Sequence, residues 1–227
     1  MSGSPPVFML TMPKKINNAI TLAVINNFQK RGYKVYPFQG VIRKIDRSKI
    51  VMDGWKKFFS MLQTDRLSKG ILLAEDDVLW NEPWSETKKR VKMDKINWLC
   101  YQKFFKEKQK DGSIKEIPVG SQLLYIPPKM ITKYKEEISK AKSIHFDRWN
   151  SRLKDIYFAY KPKEVCAEIT RTSATTGKQR KGKELEKSDL PQNLEVKAGK
   201  GIALKSFAGI PLINRKANVR KFKEKKK

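Results

Sequence analysis

Apolar positions fall into short blocks whose spacing switches between that of a strand and that of a helix. Val7 to Met12 is a short, mostly apolar run and predicts a first strand. From Asn17 to Arg31 the residues Ile20, Val24 and Phe28 recur on one helical face, and Gly32 follows where a C-cap belongs. Tyr33 to Phe38, rich in aromatic and β-branched residues, predicts a second strand, and this strand–helix–strand opening predicts a parallel sheet. Asp53 to Leu67 predicts a helix with Trp55, Phe58, Phe59 and Leu62 as its apolar face. Strands are expected at 71–74, at Lys95 to Tyr101 and at Leu123 to Ile126, the last stopped by Pro127-Pro128. Between them Lys106 to Glu116 is polar, with Asp111-Gly112 as a hairpin turn signal. Lys129 to Ala141 reads as a helix, His145 to Leu153 opens another, and Ile156 to Tyr160 reads as extended. The expected fold class is α/β, a mixed sheet flanked by helices.

Beyond residue 170 the pattern changes. Thr170 to Lys187 is rich in Thr, Gly, Lys and Arg and has no period. Gly201 to Ile213 regains apolar residues, and Arg215 to Lys227 is a basic tail. The expected organisation is a folded domain over 1–169 and a basic C-terminal extension over 170–227, partly packed on the core and partly disordered.

Composition adds limits. With 39% apolar residues, five Trp, eleven Phe and seven Tyr in 227 residues, a folded core is expected and wholesale disorder is excluded. No apolar run approaches the roughly 20 residues that span a bilayer, and the first residues lack the pattern of a signal peptide. Cys100 and Cys166 stand apart, form no CxxC and make no disulfide framework, so a reducing cytoplasm is the expected compartment, the host's if the protein is viral. Charge is the larger signal. The chain carries a net +27, of which residues 1–169 hold +15 (33 basic, 18 acidic) and residues 170–227 hold +12 (17 basic, 5 acidic). Basic charge on the folded part itself points to a polyanionic partner, nucleic acid or an anionic membrane surface. Trp80, Trp84, Trp98 and Trp149, near basic residues, are either core or platforms for stacking on a base.

Against that charge, one acidic segment stands out. The apolar run from Ile71 to Ala74 ends in Glu75, Asp76 and Asp77, and apolar residues resume at Val78. Adjacent carboxylates persist most easily beside a cation, so a strand running into a metal-binding turn is the simplest account; an acidic turn that caps a helix is the alternative. In an extended segment Glu75 and Asp77 would face one side and Asp76 the other. Asp147, in His145-Phe146-Asp147-Arg148-Trp149, is either a functional carboxylate or a surface acid paired with Arg148 or capping the next helix.

The order of these motifs resembles glycosyltransferase family 25 of the GT-A fold and the related GT-A glucosyltransferases that act on modified DNA bases. Lys34-Val-Tyr-Pro-Phe-Gln-Gly40 resembles the family's early strand, Gly54-Trp-Lys-Lys-Phe-Phe-Ser60 its helix before the acidic strand, and Gly70 to Val78 its strand ending in Glu-Asp-Asp. Gly120-Ser-Gln-Leu-Leu-Tyr-Ile126 resembles its Gly-Thr-x-x-Tyr segment, and Phe146-Asp147-Arg148 lies where a functional Asp is expected. The family's opening Asn-Leu-x-Arg segment is replaced by Thr11-Met-Pro-Lys-Lys15. The resemblance covers roughly residues 7–165 and implies a GT-A-like fold. It implies Mn²⁺ or Mg²⁺ held by Asp77 and by His145, the single histidine, with Thr11, Glu75 and Asp76 toward a nucleotide-sugar donor of the UDP-glucose type. The implied reaction is transfer of a hexose to the hydroxyl of a hydroxymethylated pyrimidine in DNA, and the resemblance implies Asp147 as the general base that takes the proton of that acceptor hydroxyl. Two alternatives stand beside it: the same chemistry on lipopolysaccharide or another surface glycan, and a non-catalytic nucleic-acid-binding protein on a degenerate transferase fold.

Overall fold

The computed structural model describes residues 3–11, 19–40, 49–100, 103–109, 111–120, 123–142, 145–159, 166–168, 171–172, 179–180 and 183–184. Its elements run β1 (Val7–Thr11), α1 (Ala19–Gln29), β2 (Val35–Gln39), α2 (Ile50–Met61), β3 (Ile71–Glu75), β4 (Val78–Trp80), α3 (Trp84–Thr87), β5 (Ile96–Cys100), β6 (Lys103–Lys108), β7 (Ile114–Val119), β8 (Leu123–Ile126), α4 (Pro128–Lys140), α5 (Phe146–Asn150), β9 (Ile156–Phe158), β10 (Cys166–Glu168), β11 (Arg171–Thr172) and β12 (Gln179–Arg180). The central sheet has the order β2-β1-β3-β8-β5-β9. β1 is parallel to β2 and β3, and β5 is parallel to β9, while β8 runs antiparallel to both β3 and β5. Five strands therefore point one way and β8 the other, the mixed α/β sheet that the pattern predicts.

The strands are apolar on both faces because both faces are covered. Phe8, Leu10, Ile71, Leu73, Leu124 and Ile126 enter one core with Trp55, Phe58 and Phe59 of α2 and Tyr134 of α4. The alternate residues Val7, Met9, Leu72, Ala74, Leu123 and Tyr125 enter a second core with Val24 and Phe28 of α1. Rings continue the first core from sheet to helices: Phe38 stacks on Phe58 at 4.8 Å, Trp55 on Phe146 at 5.7 Å, and Phe59 meets Tyr134 at 5.1 Å. A register shift between Trp98 and Cys100 turns Leu99 and Cys100 together into the second core.

Helix ends follow local chemistry. At the close of α1 the amide of Gly32 donates to the Gln29 carbonyl (2.9 Å) and that of Tyr33 to the Phe28 carbonyl (3.1 Å). Gly32 takes a φ of 80°, and the Phe28 and Tyr33 rings meet edge to face, which completes a Schellman closure. Pro128 opens α4, where a missing amide costs nothing, and Met130, Ile131, Tyr134 and Ile138 form its buried face. α2 differs from expectation: it runs 50–61 rather than 53–67, because Leu62 is extended and the chain turns before Leu67, whose side chain is buried from a loop. The expected hairpin is β6–β7, with Asp111 Oδ1 accepting from the amide and hydroxyl of Ser113 and Gly112 at a φ of 83°. β4, α3 and β10 to β12 have no counterpart in the sequence expectation. Within 170–227 only β11, β12 and residues 183–184 are described, so the apolar patch at 201–213 and the tail at 215–227 lie outside the described residues.

The two cysteines pair with each other. Cys100 at the end of β5 and Cys166 at the start of β10 form a disulfide, with Cα atoms 6.1 Å apart. β10 pairs antiparallel with β4, and the bulge in β5 aims Cys100 at the same core. Disulfides persist in oxidising compartments, so the bond removes the cysteine-based ground for a reducing cytoplasm. No described helix is long and apolar enough to cross a membrane.

Among the described glycines Gly70 should tolerate change poorly. It adopts a φ of +76°, and an added Cβ would lie 2.5 Å from the Ile126 carbonyl oxygen and 2.9 Å from the Tyr125 ring. Gly112, at a φ of +83°, has nothing within 4 Å. In urea unfolding, Gly112→Ala is expected to cost about 1 kcal/mol, and Gly70→Ala about 3 kcal/mol, with the clash added to the backbone cost. Because the disulfide closes a sequence separation of 66 residues, its reduction is expected to lower stability by about 4 kcal/mol, read as a lower urea midpoint. Burial raises the phenols of Tyr33, Tyr134 and Tyr125, the last to about 12. Phenols unfold to a value near ~10, so this contribution is full below that pH and is lost as pH rises through the folded values. The urea midpoint should therefore fall progressively above pH ~10, and phenolate absorbance from these three residues should appear together with unfolding.

Candidate active site at the carboxyl end of the sheet

Strand register brings separate parts of the chain to one end of the sheet. Leu10 pairs with Glu75, Thr11 with Gln39, Ala74 with Leu123, and Leu123 with Cys100. The carboxyl ends of β1, β2, β3 and β5 and the beginning of β8 thus form one row, the position at which open α/β sheets usually take ligands. Close packing holds this end together. The Gly40 amide donates to the Thr11 carbonyl at 2.8 Å, and a Cβ on Gly54 of α2 would come within 2.9 Å of Leu10.

β3 is buried from Ile71 to Ala74 and ends at the half-buried Glu75. Asp76 and Asp77 then form a turn before β4. The acids are therefore not an extended run with alternating sides: only Glu75 keeps strand geometry. The turn also carries them inward, leaving Asp76 5% and Asp77 0% exposed. α1 fixes the exit from this turn, since Asn27 Oδ1 accepts from the Trp80 amide at 2.8 Å and its Nδ2 donates to Asn81 Oδ1 at 3.1 Å. Thr11 ends β1 and is 1% exposed; one residue beyond the Leu10–Glu75 pair, it lies level with Asp76.

Asp147 reaches the same end by a different route. It lies in the first turn of α5, where Oδ2 accepts from the Gly120 amide (3.2 Å) and Oδ1 from the Arg148 amide (3.0 Å). Gly120 directly follows β7, at a φ of 82°. α5 is held from behind: Tyr134 donates to Asn150 Oδ1 at 2.6 Å, and Asn150 Nδ2 donates to the Phe146 carbonyl at 2.9 Å, both fully inside the core. His145 is the residue before α5, half-buried, with its carbonyl accepting from the Trp149 amide. Among the described residues no three His, Cys, Asp or Glu side chains form a group able to hold a metal ion.

Of the two readings of the tryptophans the structure favours core, completely for Trp80 and Trp98 and partly for the half-buried Trp84 and Trp149. Trp80 and Trp98 are wholly buried, Trp84 packs on Tyr125 at 4.8 Å, and Trp149 on Tyr134 at 5.4 Å. What sequence reasoning missed is the support: Gly120, Asn27, the Tyr134–Asn150 bond and the Cys100–Cys166 link. Two cysteines admit a single pairing, which was the one available signal. The others act through hydrogen bonds, one of them from a glycine amide, whose partners lie 16 to 53 positions away.

No protein-family model matches the sequence, and no curated protein matches it. Among solved structures the chain is similar to a glycosyltransferase involved in the glycosylation of the major capsid of PBCV-1, at 14% identity over 63% of this chain and 71% of that one, with a TM-score of 0.37. It is also similar to the glycosyltransferase GlyE of Streptococcus pneumoniae TIGR4 (9% identity, 69% of this chain and 45% of that one, TM-score 0.40). A third is HddC from Yersinia pseudotuberculosis complexed with GMP-PN (8% identity, 68% and 90%, TM-score 0.38). At these scores the likenesses carry no weight of their own.

Proposed function

We propose that the protein is a nucleotide-sugar-dependent glycosyltransferase whose acceptor is a hydroxymethylated pyrimidine in DNA. The observation that carries the reading is that Thr11, Glu75 and the Asp76–Asp77 turn stand at the carboxyl end of one sheet, the end at which β8 begins three residues after Gly120, whose amide donates to Asp147. In such a transfer the donor's phosphates gain charge as the sugar bond breaks. Thr11 and Glu75 would face the donor, with Asp76 beside them. Asp77 and Asp76 supply hard oxygen ligands of the kind that Mg²⁺ or Mn²⁺ takes one or two at a time, the remaining positions falling to phosphate and water. When bound, such an ion would neutralise developing charge on the leaving diphosphate. Asp147 would receive the acceptor hydroxyl's proton, with the Gly120 and Arg148 amides fixing the direction of its carboxylate. The net +15 over residues 1–169 supports a polyanionic acceptor.

One observation favours a second reading. A disulfide at Cys100–Cys166 suits an oxidising compartment, where a surface glycan is the more natural acceptor for the same chemistry.

Incubation with Mn²⁺, labelled nucleotide sugars and DNA with or without hydroxymethylated bases is expected to place label only in the modified DNA. Label entering a glycan acceptor instead would select the second reading, and DNA binding with neither transfer nor donor hydrolysis across several donors would defeat both. Asp77→Ala should abolish transfer while leaving salt-sensitive DNA binding intact. Asp147→Asn should lower kcat by about 10²-fold or more with little change in donor KM. Circular dichroism of both variants separates chemistry from misfolding, and an unchanged kcat in Asp147→Asn would remove that residue from the reaction.

A further inference from the structure

We infer that a cleft at the opposite, amino-terminal end of the sheet binds a backbone phosphate of a nucleic-acid strand. The cleft measures about 230 Å³ and is lined by Lys34, Arg66, Lys69, Ser4, Ser68 and Tyr36, together with Pro6, Leu67 and Gly70. Three cations and three hydroxyl-bearing side chains thus converge with no carboxylate in the lining. Among the described residues no carboxylate pairs with Lys34 or Lys69. Arg66 has Asp65 at 3.9 Å, but both side chains are well exposed, and such a pair is weak.

The backbone builds this convergence. Lys34 precedes β2, and its carbonyl accepts from the Val7 amide at 2.9 Å. Lys69 precedes Gly70 and β3, and the Leu72 amide donates to the Pro6 carbonyl at 2.9 Å. The entries to β1, β2 and β3 therefore lie side by side. Tyr125 anchors the Lys69 carbonyl at 3.1 Å, and the positive φ of Gly70 turns the chain from Lys69 into β3. Like charges placed together in a concavity focus positive potential on whatever enters it. Tyr36 adds a second quality: half-buried and stacked on Phe8 at 5.6 Å, it offers a rigid aromatic surface beside Lys34. Cations plus an aromatic surface suit a phosphate that carries a nucleoside better than a bare phosphate.

This cleft and the candidate active site lie at opposite ends of five-residue strands, roughly 15–20 Å apart at strand rise. Nucleic acid carries phosphates all along such a span, so one strand can lie in the cleft while a modified base reaches the acids. The inference rests on the proposed DNA acceptor for the identity of the strand. Binding and transfer nevertheless fail separately.

The test uses the full-length protein and a labelled oligonucleotide, single- and double-stranded, with affinity read by fluorescence anisotropy across a salt series. The triple variant K34A/R66A/K69A is compared with K88A/K140A/K142A, which removes the same charge from exposed lysines elsewhere. Thermal melting checks both folds, and the singles K34A and K69A serve if the triple does not fold. The cleft triple is expected to weaken binding at least tenfold and to flatten the salt dependence by about two phosphate contacts, while the control triple changes affinity less than threefold. Equal losses in the two triples would overturn the inference. So would a cleft triple that loses only inorganic phosphate, or only phosphatidylserine vesicles, while holding oligonucleotide affinity. Transfer to the free hydroxymethylated nucleoside should stay within twofold of wild type in the cleft triple, because that small acceptor reports on the carboxyl end alone.

Discussion

β3 is buried on both faces as far as Ala74, and that burial decides where the acids sit. A strand in the middle of a covered sheet cannot carry a carboxylate until it leaves the sheet, so the acids collect at its end. The next two residues then turn, and Asn27 and the β4–β10 pair receive the chain on the far side. Because β1 and β3 are parallel and in fixed register, the end of β3 is also the level at which Thr11 leaves the sheet. The position of the acids is thus a consequence of where apolar burial stops.

Much of the fold was legible in the sequence for a simple reason. β1, β3 and β8 are unbroken apolar runs and α1 and α4 carry a helical period, and ends among them coincide with Gly32, Gly70 and Pro127-Pro128, residues with local conformational demands of their own. α2 was displaced because Leu62 and Leu67 are apolar yet buried outside the helix, so a helical period alone could not show where it stops. β4 and α3 were missed because three or four residues are too few to show a period.

The candidate site was half legible. The acids declared themselves by contrast with the apolar run before them, and Asp147 by resemblance. The turn that draws Asp76 and Asp77 inward, the Gly120 amide on Asp147 and the Tyr134–Asn150 bond behind α5 are tertiary facts with no local signature. The tryptophans show what burial decides: a large ring near basic residues in sequence is either core or a stacking platform, and Trp80 and Trp98 are wholly inside. The disulfide is a tertiary fact too, since neither cysteine's neighbours reveal that a bulge in β5 aims Cys100 at β10.

The reversed direction of β8 has a consequence for how such a molecule can change. The β6–β7 hairpin departs from the end of β5 and returns to the start of β8, and both points lie at the same end of the sheet. It is a closed excursion, leaving the sheet and rejoining it without crossing the core. A change in the length of its far end need not shift a strand register, while Glu107 on its outgoing strand accepts from Arg152 at 2.8 Å and its returning end carries the Gly120 amide that holds Asp147. A hairpin placed this way is an exchangeable part: one end of the sheet keeps its chemistry while the arm beside it is free to diversify.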